Sequence, residues 1–72
     1  ALEERELAET IDRFLRTLPE RECSMFLRRY WYVDSVQSIA ARYAIKENTA
    51  KSILFRTREK LRRYLAGEGI IV

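Results

Sequence analysis

Apolar residues recur along this chain at helical spacing, and nowhere do they alternate as a half-buried strand would require. Leu7, Ile11, Phe14, Leu15 and Leu18 form one stripe, preceded by glutamates that suit the positive end of a helix dipole and interrupted by Pro19. Proline is favoured at a first helical position, so Pro19 with Glu20 and Glu22 opens a second helix. That helix is expected to bury Cys23, Phe26, Leu27 and Tyr30 and to end near Tyr32 or Val33. Asp34 or Ser35 caps a short third helix, with Gln37 or Ser38 at the reciprocal position of a capping box. Val36, Ile39, Ala40 and Tyr43 supply its inner face. A tight turn leads into a fourth helix, Lys46–Leu65, whose inner stripe is Ala50, Leu54, Thr57, Leu61 and Leu65. Gly67 is the expected stop, leaving Glu68–Val72 as a short tail.

One aromatic breaks the pattern. At about 100° per residue, Phe55 projects opposite the inner stripe of the fourth helix, among Lys51, Ser52, Arg56, Arg58, Glu59, Arg62 and Arg63. A basic helix face with a phenylalanine in its middle suits a nucleic-acid groove, where cations meet phosphates and an apolar ring lies against thymine methyls. Ile53, by angle, sits at the edge of the buried stripe and is expected to broaden the core.

Charge sharpens this picture. The chain carries a net +3, but residues 1–24 hold seven acids and four bases, whereas residues 42–66 hold eight bases and two acids. The end that attracts a polyanion is therefore the C-terminal one. Seventy-two residues make one small domain, here taken as 1–72, too small to enclose an active-site cavity. Carboxylate pairs such as Glu3/Glu4 read as exposed helix-start charges, not as an acid–base pair. The chain has no histidine and one cysteine, which removes zinc of the finger type, an internal disulfide and the usual histidine acid–base chemistry. Cys23 is expected to pack as a small apolar residue, and no metal or cofactor is expected. No long apolar run and no secretory pattern is present, so a cytoplasmic, membrane-independent module is expected.

A short helix, a tight turn and a longer basic helix form the order of a helix-turn-helix unit, here about residues 35–65. The fold class expected is all-α, four helices with a C-terminal helix-turn-helix. The residues also resemble a family. Leu18-Pro19-Glu20-Arg21-Glu22, Phe26-Leu27-Arg28-Arg29-Tyr30, Ser38-Ile39-Ala40-Ala41-Arg42-Tyr43, Asn48-Thr49-Ala50-Lys51-Ser52 and Arg56-Thr57-Arg58-Glu59-Lys60-Leu61 look like region four of bacterial RNA polymerase sigma factors. The nearest likeness is to the extracytoplasmic-function type, over roughly Thr17 to Leu65.

That resemblance implies a fragment of a longer chain whose fourth helix reads the minus thirty-five promoter element through the major groove. The reading positions correspond to Lys51, Ser52, Phe55 and Arg56, with Arg42, Asn48, Thr49 and Arg58 holding phosphates. It also implies docking on the flap of the polymerase β subunit through an apolar groove of the first two helices, involving residues such as Ile11, Phe14, Phe26 and Trp31. A monomer is implied, and an anti-sigma partner is compatible with it. By the residues alone, Trp31 and Tyr32 read as core. Two departures from the family pattern stand out. Ala44 replaces a common glycine in the turn, where a positive φ would cost about 1 kcal/mol, so a reshaped turn is expected. Lys46 stands where a capping residue is usual, leaving Asn48 as the nearer cap. Two other functions compete: a helix-turn-helix regulator that is not a sigma factor, and a protein-interaction module in which Phe55 and its basic surroundings dock on an acidic protein.

Overall fold

Four helices follow one another in this computed structural model, which describes residues 4–70: α1 (Glu4–Leu15), α2 (Glu20–Tyr30), α3 (Val36–Arg42) and α4 (Glu47–Gly67). Glu3 of the N-terminal carboxylate pair and the last two residues of the tail lie outside the described residues. The long fourth helix, 21 residues, is the spine. The other three pack along it, α3 and α2 toward its first half and α1 toward its second.

The main core joins α2, α3 and α4 through Met25, Ile39, Ala40, Ala50, Ile53 and Leu54, with Val36, Tyr43 and Ile45 packed at its edge. Ala50 is fully buried within this cluster. Ile53 is buried as its angle requires. Further along α4, the Phe14 ring meets Tyr64 with centroids 5.5 Å apart, and Leu65 closes that end. The two buried hydroxyls are satisfied within their own helices: Thr57 Oγ1 donates to the Ile53 carbonyl at 3.0 Å and Thr10 Oγ1 to the Glu6 carbonyl at 2.8 Å.

Helix α2 departs from the expected face. Met25 is completely buried, whereas Cys23 and Leu27 are half-buried and Tyr30 is exposed. The helix packs against both α3 and α4, so its buried arc is centred on Met25 and Phe26 and not on a single stripe beginning at Cys23. It also ends earlier than expected, with Trp31 as its C-cap. Trp31 and Tyr32 consequently lie beyond the last turn and are exposed, which corrects their assignment to the core. Pro19 precedes α2, its carbonyl accepting from the Cys23 N–H at 3.0 Å.

Two helices end in the same way. At the end of α4 the Ile70 N–H donates to the Leu65 carbonyl at 2.8 Å and the Gly69 N–H to Ala66 at 3.1 Å, with Gly69 at φ 81. This paired pattern is a Schellman motif, and it demands a left-handed residue just past the cap. Gly69, not Gly67, is thus the stop, and Gly67 is the last helical residue. At the end of α3 the Ile45 N–H donates to Ala40 at 3.0 Å and the Ala44 N–H to Ala41 at 3.3 Å. Here the left-handed position is held by Ala44, at φ 54. The turn is therefore kept in the form glycine would favour and is not reshaped.

Candidate nucleic-acid interface

Burial of Ala50, Ile53, Leu54 and Thr57 against the other helices fixes the rotation of α4, and the residues between them must face solvent. Lys51, Ser52, Phe55 and Arg56 are all exposed, at i, i+1, i+4 and i+5 on one face. Phe55 leaves 59% of its surface in water. The two positions that precede this face, Asn48 and Thr49, are exposed in the first turn of α4.

Asn48 does not cap the helix. Lys46 occupies the N-cap with extended backbone and no side-chain hydrogen bond, and Asn48 is already helical. The first N–H groups of α4 therefore face solvent without a side-chain acceptor, an arrangement that suits an anion. The third helix is capped conventionally: Ser35 Oγ accepts from the Ser38 N–H at 3.0 Å. Asp34, the alternative cap, is used elsewhere, its carboxylate lying 3.4 Å from Arg28. Arg42 closes α3 and is exposed beside the turn.

The cations of α4 divide into two groups. In the second half, Lys60 pairs with Glu22 at 3.4 Å and Arg62 with Glu59 at 2.9 Å. The hydrogen bond from Arg62 holds the Glu59 carboxyl below its ordinary pKa, with the charges of Arg62, Arg63 and Arg58 adding to it and partial desolvation opposing. In the first half, Lys51 and Arg56, like Arg42 and Lys46 near by, have no carboxylate partner among the described residues. Arg58 donates to the Tyr30 hydroxyl at 3.3 Å, and that bond raises its pKa above the ordinary arginine value. Lys51 and Arg56 thus leave uncompensated positive charge beside the phenylalanine, as Arg58 and Arg63 do farther along the helix. By composition the second half of α4 holds more bases than the first, four against two; ion pairs engage two of those four.

Of the residues considered for polymerase docking, Phe14 and Phe26 are buried and Ile11 is half-buried, so of the four only Trp31 offers substantial free surface. A shallow apolar groove nearby is lined by Phe14, Leu18, Pro19 and Tyr64, with Lys60 and Arg63 at its rim. The sequence reading also missed a run of exposed apolar side chains after α2: Trp31, Tyr32 and Val33 are 76%, 66% and 75% exposed. Residue types gave no signal for it, because the stop at Tyr30 is set by the Trp31 and Tyr32 N–H groups both bonding the Leu27 carbonyl and by Val33 at φ 58.

Among the described residues no cluster of histidine, cysteine or carboxylates could hold a metal, and no helix is long and apolar enough to cross a membrane. What the face can do is bind: it presents donors, one apolar ring and uncompensated charge on a rigid helix. Residues 14–63 match the family model described as Sigma-70, region 4. No curated protein and no solved structure matches the chain.

Proposed function

Because the chain belongs to the Sigma-70 region 4 family, we propose that it binds the minus thirty-five element of promoters as part of a sigma factor that directs RNA polymerase in transcription initiation. The observation that carries this reading is the outward face of α4, where Phe55 sits between Lys51 and Arg56, which no carboxylate among the described residues neutralises. In this reading α4 enters the major groove. Arg56 and Lys51 donate to guanine acceptors, Ser52 bonds a base or phosphate, and Phe55 contacts thymine methyls. Arg42, Arg58, Asn48 and Thr49 hold the flanking phosphates and set the register.

Electrostatics supports the division of labour. Lys60 and Arg62 are already engaged by Glu22 and Glu59, so they have less to gain from phosphate than Lys51 or Arg56. The polymerase contact is assigned to the β-flap, in the groove lined by Phe14, Leu18, Pro19 and Tyr64. The domain acts as a monomer in the cytoplasm, without cofactor or catalysis, and an anti-sigma partner would compete for one of these two faces.

The test begins with selection of preferred duplexes from a randomised pool. Arg56→Ala should then lose discrimination by roughly 1–3 kcal/mol per base contact removed, while Arg58→Ala weakens all duplexes alike. Equal losses on selected and random DNA for both variants would show that the reading face is wrongly placed. Failure of the domain to bind an isolated β-flap segment, with DNA selection intact, would favour a helix-turn-helix regulator outside the sigma class.

A further inference from the structure

The segment between α2 and α3 spends exposed aromatic surface that folding does not use. Tyr30, Trp31, Tyr32 and Val33 are consecutive, and all four are exposed. A contiguous apolar run of this kind marks a contact surface more often than an accident of folding. The segment is also held in place. The Trp31 and Tyr32 N–H groups both donate to the Leu27 carbonyl, at 2.8 and 3.1 Å, and the Asp34 N–H donates to Arg28 at 2.8 Å. Arg29 donates to the Asp34 carbonyl at 3.2 Å, and Arg28 reaches both the Asp34 carboxylate and the face of Tyr32, 6.0 Å from its centroid. Within this frame Val33 is kept at φ 58, a left-handed conformation that a β-branched residue rarely adopts. Strain of that sort persists only where the surroundings impose it, and it tends to accompany a functional surface.

The position of the segment says what could cover it. It begins at Tyr30, whose hydroxyl accepts from Arg58 on α4. Arg58 lies on the same stripe as Lys51 and Phe55, at i, i+4 and i+7. The aromatic run is therefore continuous with the cationic flank of the proposed reading face. Its one carboxylate, Asp34, is neutralised by Arg28, while Arg58 has no carboxylate partner among the described residues. An occupant of this strip needs planar or apolar surface and negative charge together, which the deoxyribose faces, base edges and phosphates of a duplex supply.

We infer that Trp31 and Tyr32 form a second DNA contact, packing on the sugar–phosphate flank of the groove that α4 enters. This rests on the promoter-binding reading, which it extends by an apolar contact that carries affinity but no base preference. Aromatic contacts with nucleic acid tolerate sequence, because every nucleotide offers an apolar face.

Trp31 is the sole tryptophan, so its emission reports the contact directly. Wild type, Trp31→Ala/Tyr32→Ala and Trp31→Phe/Tyr32→Phe should be titrated with a labelled mixed-sequence duplex across a salt series, after circular dichroism has shown equal helicity. The expected result is a shift of wild-type Trp31 emission on adding duplex and a roughly tenfold weaker affinity for the double alanine variant on every sequence. The salt slope should not change, because no cation has been removed. The phenylalanine pair should retain most of the affinity. Unmoved emission with equal affinities would overturn the inference while leaving the α4 reading standing, and would give the strip to a protein partner. Absence of duplex binding by the wild type would overturn both.

Discussion

Replacing Ala44 by glycine should stabilise this domain, although the change removes a methyl group and adds flexibility to a turn. Ala44 holds the left-handed position of the Schellman motif that ends α3, and its φ of 54 is imposed by the hydrogen bonds from Ala44 to Ala41 and from Ile45 to Ala40. A left-handed L-residue costs about 1–2 kcal/mol, which glycine does not incur. Against this, glycine enlarges the unfolded ensemble, an opposing effect of about 0.4–1 kcal/mol. Ala44 is exposed, so little burial is lost with its methyl. The balance is a gain of about 0.5–1 kcal/mol, or a rise in Tm of about 3–6 °C for a domain of this size. Thermal unfolding followed by circular dichroism measures it, with Ala41→Gly, a helical residue in the last turn of α3, as the control that should destabilise by about 0.5–1 kcal/mol. Duplex affinity should stay within about twofold of wild type, since the turn that positions α4 keeps its form. A Tm that falls, or an affinity lost while the fold is kept, would show that the turn is not held in the left-handed form described here.

Two further outcomes follow from the packing and the ion pairs. Arg42→Ala, which removes a phosphate-holding cation, should reduce the slope of log K against log salt by about 1, whereas Arg62→Ala, whose cation is held by Glu59, should leave it unchanged; the reverse order would move the interface toward the end of α4. Ile39→Ala opens a cavity at a fully buried position between α3 and its neighbours, so chemical denaturation should show a loss of about 2–5 kcal/mol, a large share of what a 72-residue domain has to lose; a loss near zero would mean the helix-turn-helix core is not packed around Ile39.

Helix order and the outward position of Phe55 were legible in the sequence because both follow from a 3.6-residue period on a long amphipathic helix. Ile53 fell where its angle put it for the same reason. Periodicity served less well for α2, since a helix wedged between two others buries an arc and not a stripe, which hid Met25 and gave Cys23 and Tyr30 too much weight. The helix ends were read imperfectly because they depend on hydrogen bonds across several residues. Gly67 and Gly69 are indistinguishable by type, and only the bonds from Gly69 and Ile70 back to Ala66 and Leu65 show which one turns the chain. Trp31 and Tyr32 were misplaced by their hydropathy, which cannot tell a residue inside the last turn of a helix from one just beyond it. At the candidate interface, residue types alone could not divide the cations of α4, because pairing with Glu22 joins residues 38 apart in the chain.

The most direct test of the account is the affinity of the intact chain for a selected duplex and for its scrambled counterpart, measured across a range of salt. Contact with three to five phosphates predicts two parallel lines of slope about −3 to −4.5, the selected duplex lying above the scrambled one at every salt concentration. Lines that coincide would contradict sequence reading by the Phe55 face, and lines that are flat would contradict DNA binding altogether.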